Sequence, residues 1–263
     1  DRTLSMTSGF ESLPSNLGKI RNRGIEFKIA GDLIRQGDFT WNMGLNLAFN
    51  KNKILSLGEE DDIVTEDYSI HQVGKSLGHF YMVRWAGVNT QTGAPQYLDK
   101  EGNITDVYDP ENAVLVKGSF DPAWKGGITT SIRYKNLEVS ALFSFIKGMY
   151  RLNTGEFYRT SADPNYRLYN QSTSMLDMWQ KPGDESSNPH PSYTRYLTDR
   201  ELQRADYLKL RNLNINYKFT DLGRAGKFIK EVNVFAQGSN LITWTKWKGQ
   251  DPEDDNNWYQ YEY

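Results

Sequence analysis

The sequence contains no cysteine, and this absence excludes several kinds of chemistry at once. Without thiols the chain can form neither a disulfide framework nor a thiolate metal site, and it has no cysteine nucleophile. It also has no apolar run of about 18 residues, the length that a membrane-spanning helix needs. Lysine and arginine number 31 against 33 acidic residues, which gives a net charge of −2. The chain therefore lacks the clustered basic excess that nucleic-acid-binding proteins carry.

Apolar residues are scarce for a chain of 263 residues, at 38%, and the mean hydropathy is −0.69. Aromatic residues, at 13%, and the 22 glycines are by contrast plentiful. A soluble domain of this length normally builds a large core from Leu, Ile and Val. A transmembrane β-barrel needs fewer apolar residues, because only alternate strand positions face lipid. The composition is therefore compatible with a protein that crosses a membrane with strands.

Residues 39–50 have the clearest strand pattern in the chain. Their odd positions are all apolar, and their even positions are polar or small. This period of two predicts a β-strand with one apolar face, and about 9–11 residues suffice to cross a bilayer when the strand is tilted. A similar strand is predicted at 137–146. The residues predicted to face lipid in these two strands are Phe39, Trp41, Met43, Leu45, Leu47, Phe49, Phe143 and Phe145.

Weaker alternation predicts four further strands, at 25–34, 124–134, 207–217 and 231–240. In the third of these the pattern slips by one residue near Arg211, which indicates a β-bulge. Near the end of the sequence, Tyr259, Tyr261 and Tyr263 alternate with polar residues as at the start of another strand.

Short and long connections alternate along the six main strands. Residues 35–38 and 135–136 are predicted hairpin turns, and 218–230 is a moderate connection, whereas 51–123 and 147–206 are far longer than ordinary loops. Short turns at one end and long loops at the other are the layout of outer-membrane barrels, with the long loops extracellular. We therefore predict an all-β fold, part of an antiparallel transmembrane β-barrel with about six to seven strands. Because this is too few to close such a barrel, we expect the chain to be a piece of a larger one.

Several motifs of the chain resemble those of one known family. NKNKI follows the strand at 39–50, GKSLGHFY begins at Gly74, and GSFDPAWKGG leads into the strand at 124–134. In this order and spacing they resemble the C-terminal part of the SusC/RagA family, the TonB-dependent outer-membrane transporters of Bacteroidetes. The segments that carry the resemblance are Asn16–Phe27, Trp41–Leu57, Gly74–Thr105, Gly118–Ile128, Met178–Pro191, Arg204–Phe219 and Phe235–Glu253.

The resemblance implies a plugged barrel of about 22 strands. Residues 1–263 are then expected to form its C-terminal part, with extracellular loops at about 51–123 and 147–206. It further implies import of oligomeric nutrients, glycans or peptides, across a Gram-negative outer membrane, driven by TonB acting through an N-terminal part. The implied partners are a SusD-like surface lipoprotein, the remainder of the barrel and plug, the lipid bilayer and the oligomeric substrate, with no nucleic acid. No cofactor, metal or catalytic residue is expected, because TonB supplies the energy.

Aromatic and arginine residues of the long connections are candidates for contact with substrate. Flat aromatic rings can stack on sugar rings, and guanidinium groups can hydrogen-bond hydroxyls or carboxylates. The leading candidates are Tyr81, Arg84, Trp85, Tyr97, Trp179 and Tyr193. Other residues of these types in the same connections are Tyr108, Phe157, Tyr158, Tyr166, Arg151, Arg167 and Arg195. The alternative for an aromatic residue is packing within its own loop, and for an arginine it is a salt bridge there.

Metal and catalytic sites find little support in the sequence. His71, His79 and His190 lack the converging spacing of a zinc site. The acidic runs Glu59–Asp62 and Asp251–Asp255 do not match a calcium-binding EF-hand loop, so solvated charge clusters are the favoured interpretation. Glycoside hydrolysis needs two converging carboxyl groups, and no pair stands out among the 33 acidic residues. We therefore predict that the chain is not an enzyme.

Two other classes of protein stay open at this point. The main alternative is a soluble, β-rich glycan-binding module with aromatic platforms. Such a module would bury its apolar strand face against a second sheet, whereas a barrel leaves that face exposed to lipid. A secreted glycosidase is a further possibility, and it would need one acid whose removal abolishes turnover.

Overall fold

The computed structural model describes residues 2–3, 12–13, 18–58, 62–64, 68–161 and 170–253. Strands dominate this part of the chain, together with one α-helix, α1 (Thr154–Arg159). The strands are β1 (Arg2–Thr3), β2 (Ser12–Leu13), β3 (Lys19–Gln36), β4 (Phe39–Ser56), β5 (Asp62–Val64), β6 (Ser69–Gln72), β7 (His79–Met82), β8 (Arg84–Val88), β9 (Pro95–Leu98), β10 (Ile104–Thr105), β11 (Val114–Ser119), β12 (Trp124–Tyr134), β13 (Leu137–Lys147), β14 (Tyr150–Leu152), β15 (Leu202–Arg204), β16 (Tyr207–Phe219) and β17 (Val232–Thr245). Short 3₁₀ turns lie at Pro110–Asn112, Thr173–Leu176, Asp199–Glu201 and Gly223–Lys227. None of the helices in these ranges is long and apolar enough to cross a membrane.

Six long strands form one antiparallel sheet in the order β17-β16-β13-β12-β4-β3. All six strands predicted from the sequence are present, and β3 and β4 are longer than predicted, with 18 residues each. Two-residue turns join β3 to β4 and β12 to β13, where Gly37 and Lys135 have positive φ of 55° and 52°. Such φ values are what tight hairpin turns between twisted strands require. The predicted strand start at Tyr259–Tyr263 lies outside the described residues.

The register of this sheet separates apolar from polar side chains. Residues directly opposite each other on paired strands point to the same face. One such row contains only large apolar residues: Ile29, Leu45, Ile128, Phe143, Leu210 and Ile242. The neighbouring row, on the opposite face, is Lys28, Asn46, Gly127, Ser144, Lys209 and Thr243. We call these two sides the apolar face and the polar face of the sheet.

The residues predicted to face lipid all lie on the apolar face. Phe39, Trp41, Met43, Leu45, Leu47 and Phe49 occupy alternate positions of β4, and Phe143 and Phe145 join their rows through β12. The predicted bulge near Arg211 is also present, because Leu142 pairs with Asn212 and Phe143 with Leu210, which leaves Arg211 without an opposite residue. The bulge keeps Leu208 and Leu210 in the apolar rows despite the slip in the sequence pattern.

The apolar face is open rather than covered by a second sheet. Ile25 is 72% exposed and Val234 56%, and Ile132 and Ile215 in the inner strands are also exposed. A surface depression on the polar side has a volume of about 600 Å³, with Lys28, Asn46 and Lys125 in its lining. This arrangement is the one expected of a barrel wall, whose outer side is apolar and whose inner side is polar.

The two long connections pack together into one ordered unit, which we call the loop body (residues 68–123 and 148–206 as far as described). A four-stranded sheet of the order β11-β7-β6-β5 and a three-stranded sheet of β10-β9-β8 come from the first connection. Phe80 and Met82 from the first connection form a core with Phe157 and Leu197 from the second. Because this core joins both connections, the loop body is a folded unit above the end of the sheet.

The apolar face generates a direct test at Leu45, which lies opposite Ile29 and Ile128. Leu45→Arg is expected to cost about 2–4 kcal/mol of folding free energy in lipid, because a charged group near the bilayer midplane loses its hydration. Chemical denaturation of the protein refolded into lipid vesicles measures this difference. Asn46→Arg, one residue away on the polar face, is the matched control. A Leu45→Arg variant as stable as the control would contradict the assignment of the faces.

Candidate functional site

Charged side chains gather on the polar face where β16 leaves the loop body. The Lys209 ammonium donates hydrogen bonds to both carboxylate oxygens of Asp251, at 2.5 and 2.8 Å, and to Oε2 of Glu253 at 2.6 Å. The Arg211 guanidinium and the Tyr207 hydroxyl both donate to the other oxygen of Glu253. The chain therefore folds back after β17 and places two carboxylates on two cations of the sheet.

The β-bulge explains how two cations only two residues apart meet the same carboxylate. Arg211, the extra residue, also donates to Ser144 Oγ at 2.7 Å and to Asn240 Oδ1 at 3.3 Å. Lys209 is 3% exposed, so its charge depends on the two carboxylates for compensation. The interpretation of residues 251–255 as a solvated charge cluster is therefore wrong for Asp251 and Glu253, while the rest of that run lies outside the described residues.

The hydrogen bonds of this network lower the pKa of both of its carboxyl groups. Partial burial opposes the charged form of the Glu253 carboxyl group, but hydrogen bonds from Arg211, Lys209 and Tyr207 outweigh burial and lower its pKa from 4.5 to about 2. Desolvation opposes the charged form of Asp251 too, but its pKa is lowered because the hydrogen bonds from Lys209 and the Glu253 backbone and the positive charge of Lys209 together outweigh desolvation. Both carboxylates are therefore charged, and the network holds two positive and two negative groups.

A second set of contacts ties the start of the loop body to β4. The Asn52 side chain accepts a hydrogen bond from the Leu77 backbone N–H at 2.7 Å and donates one to the Asp121 carboxylate. The backbone of Ile54 pairs with that of Lys75 at 2.8 Å. Asn52 and Asp121 belong to the NKNKI and GSFDPAWKGG motifs of the sequence, so these two motifs are joined in space and hold the loop body on the sheet.

A buried ion pair organises the interior of the loop body. Arg195 and Glu201 form a salt bridge with both side chains almost fully buried. Arg195 also donates to Thr160 Oγ1 at 2.8 Å, and Glu201 accepts from the Thr198 backbone in the capping box of a 3₁₀ turn. For Arg195 the alternative of an intraloop salt bridge is therefore the observed one, and contact with substrate is not.

Two of the leading contact candidates lie inside the loop body. Tyr97 is 1% exposed, and burial raises the pKa of its hydroxyl to about 12. Trp179 is 8% exposed and donates from its indole nitrogen to the carbonyl oxygen of Thr90 at 3.0 Å. A side chain on Gly93, whose φ is +73°, would collide with the Trp179 ring. Tyr97 and Trp179 thus pack the loops, and their prediction as substrate contacts is corrected.

The other four candidates are more accessible. Arg84 is half-buried and donates to the carbonyl oxygens of Asp99 and Lys100, at 2.5 and 3.4 Å. Trp85 and Tyr81 are also half-buried, and Tyr193 is 39% exposed. Tyr196, which the sequence reasoning missed, is exposed too. In this segment Arg195 is buried whereas Tyr193 and Tyr196 are exposed. The sequence alone does not distinguish the buried residue from the exposed ones.

Two of the histidines, His79 and His190, form hydrogen bonds within the loop body. Nδ1 of His79 lies 3.2 Å from the Gly118 carbonyl oxygen, and Nδ1 of His190 lies 2.7 Å from Ser192 Oγ. Within the described ranges, no three His, Cys, Asp or Glu side chains converge as a metal site. Phe157 is in the core of the loop body. Tyr166 and Arg167 lie outside the described residues.

The fold matches solved structures of transporter barrels. The chain superposes on the structure of the RagAB peptide transporter with a TM-score of 0.86 and 24% identity, covering 96% of this chain and 29% of that one. The RagAB peptide importer in its open-open state gives the same TM-score, with 28% of its chain covered. No family model matches the chain. The class of the fold is thus an antiparallel β-barrel, of which the chain forms part.

Curated relatives identify the chain more closely. It is 26% identical to TonB-dependent receptor P3 of Formosa agariphila, over 97% of this chain and 28% of the relative. It is 24% identical to the TonB-dependent receptor SusC of Bacteroides thetaiotaomicron, over 92% of this chain and 25% of the relative. The chain therefore spans less than a third of these relatives. The resemblance to the SusC/RagA family is confirmed: the chain is homologous to a portion of TonB-dependent receptors, SusC among them.

The network at Glu253 predicts a pH dependence of stability. Because the pKa of Glu253 is lowered in the folded state, its charge stabilises the fold above its ordinary pKa of 4.5, and this contribution is lost as the pH falls from 4.5 towards about 2. Unfolding curves of the detergent-solubilised protein across this range should therefore show wild-type stability falling with pH. Glu253→Gln should be less stable at neutral pH and less sensitive to acid.

Glu185→Gln is the control for that measurement, because Glu185 is an exposed glutamate of the loop body. It is expected to follow the wild-type curve. If Glu253→Gln also follows that curve, the carboxylate of Glu253 does not stabilise the closed network.

Proposed function

We propose that the chain is a wall segment, the C-terminal one, of a SusC-like outer-membrane transporter. The transporter imports oligomeric nutrients, glycans or peptides, and TonB supplies the energy. The polar face of the sheet lines the lumen, the apolar face contacts lipid, and the loop body faces the outside of the cell. One observation carries this proposal above the others: across all six strands, a row of large apolar side chains lies on one face and the adjacent row, of polar residues and one glycine, lies on the other.

The similarity of the chain to TonB-dependent receptors supports an active importer. One solved structure of the same fold is of a peptide transporter, and the glycan class is what the resemblance to the SusC/RagA family implies. Both substrate classes therefore stay within the proposal. A SusD-like lipoprotein resting on the loop body, and a plug in the lumen supplied by other parts of the receptor, complete the proposed assembly.

The alternative of a soluble glycan-binding module is disfavoured by the apolar face. In a sandwich this face would be buried against a second sheet, but Ile25, Ile29 and Val234 are each more than half exposed. The row of Ile29 continues through the inner strands with Leu45, Ile128, Phe143 and Leu210. A soluble protein rarely leaves an apolar surface of this extent open to water.

No catalytic role is proposed. The curated relatives are receptors, and the charged groups of the network at Glu253 form salt bridges with each other. Within the loop body, Tyr81, Arg84, Trp85 and Tyr193 stay proposed contacts for the incoming solute. Tyr97 packs edge to face against Trp85.

Substrate uptake tests the proposed function directly. We expect cells that make the full-length receptor to deplete a mixture of oligosaccharides and peptides from the medium, as followed by mass spectrometry. Dissipating the proton-motive force should stop this depletion, because TonB draws on it. Cells that lack the receptor serve as the control. Equal depletion with and without the receptor would remove transport from the proposal.

Single introduced cysteines can test the proposed orientation, because this segment has no thiol of its own. Leu176→Cys places a thiol in the loop body at a residue that is 85% exposed. Asp38→Cys places one in the exposed short turn between β3 and β4. A membrane-impermeant maleimide should label Leu176→Cys on intact cells and Asp38→Cys only after the outer membrane is opened. Labelling of both variants on intact cells would contradict the orientation.

A further inference from the structure

Four aromatic rings and one guanidinium group form a continuous stack through the loop body. The Arg200 guanidinium lies 5.1 Å from the ring centroid of Trp85. Trp85 meets Tyr97 edge to face at 5.8 Å, and Tyr97 meets Tyr108 in the same way at 5.3 Å. Tyr108 and Tyr196 are stacked, with centroids 4.3 Å apart and an angle of 17° between the rings. We call this set the aromatic stack.

The inner end of the aromatic stack is fixed by hydrogen bonds. Arg200 donates to Asn188 Oδ1 at 2.6 Å, and the backbone N–H of Trp85 donates to the Asp199 carboxylate at 2.7 Å. Burial lowers the pKa of Arg200 to about 10, so the guanidinium is still charged at neutral pH. A charged group over the Trp85 ring adds a cation–π attraction to the packing. The inner rings therefore have little freedom to move.

The outer end of the aromatic stack is open to solvent. Tyr196 is 46% exposed, although Tyr108 covers one side of its ring in near-parallel contact. Because Tyr108 occupies one side of the ring, the side on which a ligand could stack is the opposite one. The Tyr196 backbone N–H donates to the Tyr97 hydroxyl at 3.4 Å, which fixes the ring's attachment point as well. The result is a flat ring held rigidly at the surface.

We propose that the exposed side of Tyr196 is a binding platform on which a pyranose ring of a neutral oligosaccharide stacks. This inference rests on the proposed transport function, and it selects glycans from the two substrate classes that the function leaves open. The flat C–H side of a pyranose matches the flat aromatic ring, and the tyrosine hydroxyl at its edge offers a hydrogen bond to a sugar hydroxyl. Binding to a platform that is already rigid costs little conformational entropy.

The charges around Tyr196 favour a neutral sugar over a peptide. Arg195, its neighbour in the chain, points inward and is paired with Glu201. Arg200 also lies at the inner end of the stack, where Asn188 accepts its hydrogen bond. Neither cation is available to a peptide carboxylate at the platform. A hydroxyl-rich ring needs no such charge.

The test uses the purified full-length receptor and two defined probes, a mixture of neutral hexa- to octasaccharides and a tryptic peptide digest. Bound oligomers are separated by equilibrium ultrafiltration and quantified by mass spectrometry. We expect the wild type to retain oligosaccharides. Tyr196→Ala should lower their affinity about 3- to 10-fold, as expected for loss of one aromatic contact. Tyr196→Phe should lose less affinity than Tyr196→Ala, because it keeps the ring and removes only the hydroxyl.

Leu176→Ala is the matched control, because Leu176 is a highly exposed residue of the same loop body without an aromatic ring. Migration of unheated samples on SDS gels verifies that each variant is folded. A receptor that retains oligosaccharides equally with Tyr196→Ala overturns the platform and leaves the transport function standing. Retention of peptides alone overturns the choice of glycans, and retention of neither class overturns the transport function itself. If Tyr196→Ala instead weakens only the association with a partner lipoprotein, the exposed ring is a protein contact and the platform is overturned.

Discussion

The rest of the structure depends on the cross-strand register of the six-stranded sheet. A shift of any strand by one residue would place its apolar set on the polar side, because side chains alternate with a period of two. The two-residue turns at Gly37 and Lys135 fix the register of two hairpins, and the bulge at Arg211 restores it where the sequence slips. With the register fixed, the sheet acquires one side for lipid and one for water, and all later features take their position from it.

The loop body is held on this sheet from two directions. Asn52 and Asp121 connect its first strands to the end of β4, and the network of Lys209 with Asp251 and Glu253 closes the chain over β16. Between these anchors, Arg195 is buried in a pair with Glu201 and joins its own segment to the end of α1 through Thr160. A removed partner in such a pair leaves a buried charge uncompensated, which costs about 3–5 kcal/mol. The exposed residues of the loop body therefore rest on a rigid support.

The sequence predicts the sheet much better than the loop body, and the reason is physical. Each strand exposes its two faces to different surroundings. Apolar residues therefore occupy every second position from Phe39 to Phe49, and this pattern can be recognised without knowing which strands pair with β4. Tyr97 and Tyr196 carry no such signal: one is buried and the other exposed, although both lie in long, polar connections. Their difference depends on contacts between residues about a hundred positions apart, such as that of Tyr196 with Tyr108 and Tyr97. The same holds for Asp251 and Glu253, whose partners on β16 lie more than forty residues earlier.

The closed network on β16 has a consequence for the movement of solutes along the polar face. Lys209 and Arg211 would by themselves form a fixed positive site on the wall, but Asp251 and Glu253 of the same chain cancel it. A conduit works best when each contact is favourable enough to admit a solute and weak enough to release it. If the chain lines a transporter as proposed above, the closed network removes one fixed positive site at which an acidic solute would dwell.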